Sequence, residues 1–151
     1  MRFIFLSIII LLSLSFTHGV GTARLHGVSP SGRTIFDVEL EDYDELNQAK
    51  LRIDNDSIVF SPDDKCVVTF DPDVKVFTIN IESEANGNFD TVRYAQLWAI
   101  PASFQQLSSA GTEFNDIYKF NAKMKARDPR ANKEFETPLI LLSCTLTYTG
   151  P

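Results

Sequence analysis

The sequence from Thr34 to Glu41, TIFDVELE, alternates apolar and acidic side chains. Phe36, Val38 and Leu40 alternate there with Asp37, Glu39 and Glu41. Because successive side chains of a β-strand point to opposite faces, this period of two predicts a strand with one core-facing side and one solvent-facing side.

Similar short segments recur along the rest of the chain and are separated by turn-forming residues. We count about eight such segments, with turns about every ten residues, which is typical of an antiparallel sandwich or barrel. The strands after the first are predicted near 51–53, 57–61, 66–70, 74–82, 91–100, 118–124 and 138–149. The predicted fold is all-β, an antiparallel β-sandwich of about seven to nine strands, and a closed barrel remains an alternative because it has the same alternation.

Two segments between these strands suggest helical structure. Proline suits the first position of a helix, so Pro101 predicts one short helix over 102–109. The polar segment 42–48 is consistent with a single helical turn.

The N-terminus has the composition of a secretory signal peptide. Met1 and Arg2 precede an apolar run over 3–16, and small residues follow at 17–19. The run is shorter than the roughly 20 residues needed to span a bilayer. We therefore predict a signal peptide over 1–19 and a secreted, extracellular protein, with no transmembrane segment after cleavage.

The remainder of the chain has the size of one domain. The Gly- and Ser-rich segment 20–33 is predicted to be a flexible lead-in, and residues 34–151 to be a single β-sandwich domain. The full chain has 14 Lys and Arg against 20 Asp and Glu, a net charge of −6. Loss of Arg2 leaves 13 against 20, or −7. This acidity argues against nucleic acid and against charge-driven binding to anionic membranes.

The chain has two cysteines, Cys66 and Cys144, on apolar faces of their predicted strands. In an exported protein this predicts one core-facing disulfide between the fourth and last strands. After signal cleavage His26 is the one remaining histidine. Its position near the new N-terminus argues against catalysis that needs a rigidly held imidazole.

Acidic residues in the predicted turns suggest a calcium site, since calcium binds six to eight oxygen ligands. If each strand reverses the last, one end of the fold collects the calcium candidates Asp42, Asp44, Asp63 and Asp64, with Glu45, Glu84 and Asp90. The other end collects Asp54, Asp56, Asp71 and Asp73. The alternative is ordinary solvated turns, in which Asp is common.

Two of these acidic segments are similar to calcium-binding loops of C2 domains. They are Asp71-Pro72-Asp73-Val74-Lys75-Val76 and Asp42-Tyr43-Asp44. Their order along the chain differs from that of a C2 domain and the rest of the sequence does not match, so we assign no family.

Asn55-Asp56-Ser57 forms an N-glycosylation sequon in a predicted turn. In an exported eukaryotic protein it predicts glycosylation of Asn55. The alternative is an Asx turn without modification.

The longest predicted loops, 83–90, 101–115 and 125–137, are the expected ligand contacts. Phe104 and Leu107 are predicted to form an exposed apolar lip, and Trp98 to pack in the core. A basic segment on this acidic protein suggests a sulfated glycan or another acidic partner, the alternative being a solvated face; its members are Lys123, Lys125, Arg127, Arg130 and Lys133.

Together these features predict a non-catalytic recognition protein that binds an extracellular protein, glycan or lipid partner and needs no cofactor. Two alternatives remain open. The first is a small hydrolase that uses a pair of carboxylates. The second is a calcium-dependent surface-binding module similar to a C2 domain.

Overall fold

The computed structural model describes residues 21–83, 92–108, 115–129 and 135–150, so the predicted signal peptide lies outside the described residues. This part of the chain forms eleven strands and one 3-10 turn, Pro101–Ser103. The strands are β1 Thr22–Val28, β2 Thr34–Glu41, β3 Glu45–Ile53, β4 Asp56–Phe60, β5 Lys65–Asp71, β6 Val76–Glu82, β7 Tyr94–Ala99, β8 Gln105–Ser108, β9 Asn115–Asp128, β10 Phe135–Glu136 and β11 Ile140–Thr149. No helix within the described ranges is long and apolar enough to cross a membrane.

The strands form one antiparallel sheet in the order β4-β3-β2-β1-β11-β9-β7-β6-β5. Strand β9 organises its centre, because it pairs with β11 over 115–124 and with β8 and β7 on its other edge. The prediction of an all-β antiparallel fold is confirmed. The described strands form a single curled, half-barrel sheet, and not the two stacked sheets of a sandwich. Alternation could not separate these arrangements, because both have one apolar face.

The sheet is strongly staggered as it curls. Leu46 on β3 connects through β2, β1 and β11 to Asp116 on β9. Cys66 on β5 connects through β6 and β7 to Ala126. These two series of cross-strand pairs reach β9 at Asp116 and Ala126, which are ten positions apart. Leu46 and Cys66 nevertheless line the same pocket. Such a stagger is how a tilted sheet closes toward a barrel. Among the described strands β4 and β5 remain unpaired with each other, and we call this junction the seam.

The core occupies the concave side of the sheet. Its largest fully buried side chains include Phe36, Phe60, Phe77, Leu51, Ile79, Ile81, Leu97, Met124, Leu142 and Leu146. Phe36, Val38 and Leu40 are all buried, as their alternation predicts. Cys144 and Leu142 on β11 share this face.

The flexible lead-in predicted for 20–33 is wrong, because this segment contains β1. Strand β1 pairs with β2 on one side and β11 on the other, near the middle of the sheet. Its inward residues Ala23, Leu25 and Gly27 are buried. Two of these three are small, so the period of two was hidden by a Gly-rich composition.

Both predicted helical segments are corrected as well. Pro101 begins only the 3-10 turn, and the chain then becomes extended in β8. The segment 42–48 forms a tight turn and the start of β3. Asp42 and Tyr43 have positive φ of 46° and 70° there, which reverses the chain without a helical turn.

The predicted disulfide is also wrong in this structure: Cys66 and Cys144 are both free thiols. Each faces the interior, so the predicted facing holds. Their strands, however, are separated along the sheet by β6, β7 and β9. A disulfide requires Cα atoms within about 7 Å of each other, and a shared apolar face does not guarantee that proximity.

Candidate functional site

Basic side chains line the outer, convex face of β9. Alternate residues Tyr118, Phe120, Ala122, Met124 and Ala126 are buried, so the intervening residues point outward. Three of these are lysines, Lys119, Lys123 and Lys125, which we call the lysine column. Arg127 continues it and is half-buried. It lies in the strand, not in the predicted loop 125–137, of which 125–128 belong to β9 and Phe135–Glu136 to β10.

Aromatic and amide side chains from β7 lie beside this column. Trp98 is directly opposite Lys123, Gln96 opposite Lys125 and Tyr94 opposite Arg127. All three β7 residues belong to the outward parity, because the alternate residues Ala95 and Leu97 are buried. Facing residues on neighbouring strands have Cβ atoms about 5 Å apart, so each pair is in contact range.

Trp98 therefore does not pack in the core, which corrects the prediction. The interior beneath β7 is occupied by Phe77 and Phe120, whose ring centroids lie 5.5 Å apart. The inward residues of β7 are Ala95, Leu97 and Ala99, which are smaller than the outward Tyr94 and Trp98. The bulkier residues Tyr94 and Trp98 thus face outward, and the smaller Ala95 and Leu97 face the core.

Two leucines flank the lysine column on its other side. Leu141 on β11 is opposite Lys123 and is 47% exposed. Leu139, just before β11, is 52% exposed. A row Trp98–Lys123–Leu141 thus crosses three strands on the outer face, with a cation between two apolar side chains.

The lysine column lacks compensating acidic partners. Within the described part of the chain, none of its three ammonium groups lies within 4.0 Å of a carboxylate. On β1, by contrast, Arg24 Nε lies 3.5 Å from Glu39 Oε1. The column is therefore a local positive surface on an acidic protein.

The predicted apolar lip is divided by the structure. Phe104 is buried, with its ring stacked on Phe120 at a centroid distance of 5.1 Å, so it is not an exposed contact. Leu107 on β8 is 38% exposed. Arg130 and Lys133 lie outside the described residues.

An acidic pocket of about 510 Å³ lies at the seam. Its lining residues are Glu41, Asp44, Glu45, Leu46, Asn47, Pro62, Asp64 and Cys66. Burial, with a smaller effect of Asp44, raises the pKa of the Cys66 thiol to about 11. The thiol is therefore protonated near neutral pH and is a poor nucleophile.

The pocket brings together two of the four calcium candidates, Asp44 and Asp64, but its lining does not include Asp42 or Asp63. Asp64 already accepts hydrogen bonds from Ser61 N at 2.8 Å and Arg93 Nη2 at 3.2 Å. In the described ranges, no three His, Cys, Asp or Glu side chains are grouped closely enough to hold a metal ion. Calcium binding therefore stays a prediction from the sequence.

His26 lies within β1, and not near a loose N-terminus as the sequence predicts. Its Nδ1 lies 2.6 Å from Oδ1 of Asp37 on β2. Both side chains are more than half exposed on the open outer face. The next residue across the sheet is Thr145, and no hydrogen bond between its hydroxyl and His26 is present among the described contacts. The pair therefore lacks the base–nucleophile contact of a catalytic triad.

The chain was compared with protein families, curated proteins and solved structures. None of the three comparisons finds a match.

Proposed function

We propose that this protein is a secreted, non-catalytic recognition protein that binds an anionic partner through the outer face of its sheet. The binding surface is the lysine column with its flanking residues, chiefly Trp98 and Leu141. It differs from the expected loop-borne surface, because its residues project from the central strands β7, β9 and β11.

The unpaired lysine column is the observation that supports this proposal. A chain with a net charge of −6 has three lysines on one face of β9 without acidic partners in the described structure. Such a surface attracts anions and favours association through electrostatic steering. The half-exposed Trp98 and Leu141 add apolar contact area next to the charges, a combination that is typical of binding hot spots.

Export and glycosylation belong to the same proposal. Asn55 is exposed in the turn between β3 and β4, where Ile53 pairs with Asp56. This position leaves the side chain accessible for modification. Intact-mass analysis of protein secreted from eukaryotic cells should show a carbohydrate mass that is lost in Asn55→Gln, with an N-terminus near residue 20.

Charge reversal with a matched control tests the binding surface. The double variant Lys123→Glu/Lys125→Glu places two negative charges on β9. Lys50→Glu/Arg52→Glu makes the same change of charge with the same spacing on the exposed face of β3, about 19 Å away across four strand spacings. The probes are heparin, poly-L-glutamate and vesicles of anionic lipid.

The wild type should bind at least one probe, with an affinity that falls as salt is added. Reversal on β9 should weaken that binding about tenfold or more, whereas reversal on β3 should change it by about threefold at most. Equal losses in the two variants would show a general charge effect and overturn the assigned surface. Absence of binding to all three probes would overturn the proposed function.

A further inference from the structure

We propose that the outer face of β6, β7 and β9 binds a linear sulfated glycan. This inference rests on the proposed function and names the class of anion. It assigns the ligand to the β7 side of the lysine column rather than to the leucine side on β11. The argument depends on three kinds of side chain that the sheet places in register.

Two aromatic residues provide platforms for sugar rings. Tyr94 and Trp98 project outward from β7, four residues apart, which corresponds to about 13 Å along a strand. Each ring offers a flat apolar surface and one polar group at its edge. The C–H face of a sugar ring can pack on such a surface while its hydroxyls remain available for hydrogen bonds.

Amide side chains lie between the two aromatic platforms. Gln96 separates Trp98 from Tyr94 on β7, and Asn80 is its neighbour on β6. An amide offers both donors and an acceptor, which suits the hydroxyl groups of a sugar. Asn80 Nδ2 donates to Glu82 Oε1 at 2.8 Å, and this contact fixes the orientation of the amide.

Asn80 also has an unused acceptor. Its Oδ1 is buried and has no hydrogen-bond partner among the described residues. A buried polar atom without a partner costs about 1–3 kcal/mol. A sugar hydroxyl that displaced the covering side chains would supply the missing donor.

The lysine column supplies the charge that sulfates require. Lys123 adjoins Trp98 and Lys125 adjoins Gln96, each one strand spacing of about 4.8 Å away. Lys123 and Lys125 are alternate residues of β9 and so lie about 6.7 Å apart along the strand, whereas Asn121 separates Lys119 from Lys123. A linear polymer with repeating sulfates along β7 could meet successive lysines, and a lysine ammonium binds such anions as a point charge.

The distribution of exposed apolar side chains favours a glycan over an acidic protein on this side. Leu139 and Leu141 lie across β9, toward β11. Opposite Trp98, Gln96 and Tyr94, β6 presents Thr78, Asn80 and Glu82 instead, which are half-buried and polar. A protein partner with an apolar anchor would use the leucines, so the two partner classes require different halves of the face.

Calorimetric titration tests the assignment with three probes. The first is a sulfated heparin oligosaccharide, the second its desulfated counterpart, and the third poly-L-glutamate as an anion without sugars. Each is titrated into the wild type and into Trp98→Ala, Gln96→Ala and Leu141→Ala. Trp98→Tyr retains a ring, and thermal unfolding of each variant confirms that it is folded.

The sulfated oligosaccharide should bind most tightly, and Trp98→Ala should weaken it about tenfold, with partial recovery in Trp98→Tyr. Leu141→Ala should weaken this binding less than Trp98→Ala does, by about twofold at most, because Leu141 flanks the lysine column on the β11 side, away from β7. If poly-L-glutamate binds as tightly, or if loss of Leu141 matters more than loss of Trp98, the glycan inference is wrong. The proposed function would survive that result, since the lysine column would still bind an anion.

Discussion

The guanidinium of Arg93, just before β7, is bound to the carboxylate of Asp64 between β4 and β5, at the seam. Arg93 Nη2 donates to Asp64 Oδ2 at 3.2 Å, and the guanidinium carbon lies 5.4 Å from the centroid of the buried Phe60 ring. The side chain of Asp64 is 8% exposed and that of Arg93 is 25% exposed. This contact joins the residue before β7 to the β4–β5 connection. The strands β4 and β5 themselves are not paired by backbone hydrogen bonds.

We predict that Asp64→Ala destabilises the protein by about 2–3 kcal/mol, because it leaves a part-buried guanidinium and the Ser61 N–H without their acceptor. Asp63→Ala is the matched control: Asp63 is exposed, and its replacement should cost about 0.5 kcal/mol at most. Urea unfolding of both variants measures the difference. Similar midpoints for the two would mean that the Arg93–Asp64 contact contributes nothing at the seam.

Phe104 and Leu107, assigned together from the sequence, should behave very differently. Phe104 is 8% exposed and packs on Phe120 and Tyr118, with centroids at 5.1 and 5.6 Å. Phe104→Ala should therefore cost about 3–4 kcal/mol, whereas Leu107→Ala should cost less than about 1 kcal/mol. Thermal unfolding would place the Phe104 variant well below the Leu107 variant. The opposite order would mean that Phe104 lies at the surface after all.

Strong alternation made most strands predictable. In β2, Phe36, Val38 and Leu40 alternate with Asp37, Glu39 and Glu41, so the face of each of these residues followed from its parity. Strand β9 was also recognised, since buried Phe120 and Met124 alternate with Lys119 and Lys123. Strand β1 was missed because Ala23 and Gly27 bury little apolar area, although they occupy interior positions.

The candidate site was only half predictable for a related reason. The sequence shows the basic residues of β9, but it does not show which strands flank them. Trp98 and Leu141 are separated by 43 positions in the chain, yet both lie opposite Lys123. Their meeting depends on long-range strand order, and the outward direction of Trp98 follows from the burial of the alternate residues Ala95 and Leu97 in the interior.

A close contact between strands β1 and β11 gives a test of local packing. A Cβ added at Gly27 would lie 3.1 Å from Cys144 Sγ and 3.2 Å from Leu142 Cδ1. We expect Gly27→Ala to destabilise by about 1–2 kcal/mol through crowding. In a Cys144→Ala background the sulfur is gone, so the same change should cost about 1 kcal/mol less.

Gly32→Ala provides the control for this double-mutant cycle. Gly32 has a positive φ of 69° and no atoms within 4 Å of an added Cβ. Its replacement by alanine should cost about 1 kcal/mol through backbone strain, equally in both backgrounds. Urea unfolding of the six proteins gives the coupling energy. A cost at Gly27 that is independent of Cys144 would show that Leu142 or the backbone, and not the sulfur, sets the limit.

The two thiols should be intact but nearly unreactive in the native state. Burial raises the pKa of Cys66 to about 11 and that of Cys144 to about 12. With a pKa near 11, about one thousandth of the Cys66 thiol is ionised at pH 8, and only the thiolate reacts with iodoacetamide. Native alkylation should therefore be slow, and its rate should keep rising above pH 9, where an ordinary cysteine levels off.

The same pKa shifts fix the sign of a stability change with pH. The folded state favours the neutral thiols, so their contribution is complete below about pH 8.5, the ordinary thiol pKa, and is lost as pH rises toward 11–12. Urea midpoints should fall between pH 8 and pH 10, and the fall should be smaller in Cys66→Ala.

Alkylation in urea without reductant should label both cysteines. A mass showing neither labelled would mean that the sulfurs are bonded to each other, and the structural account of β5 and β11 would then have to change.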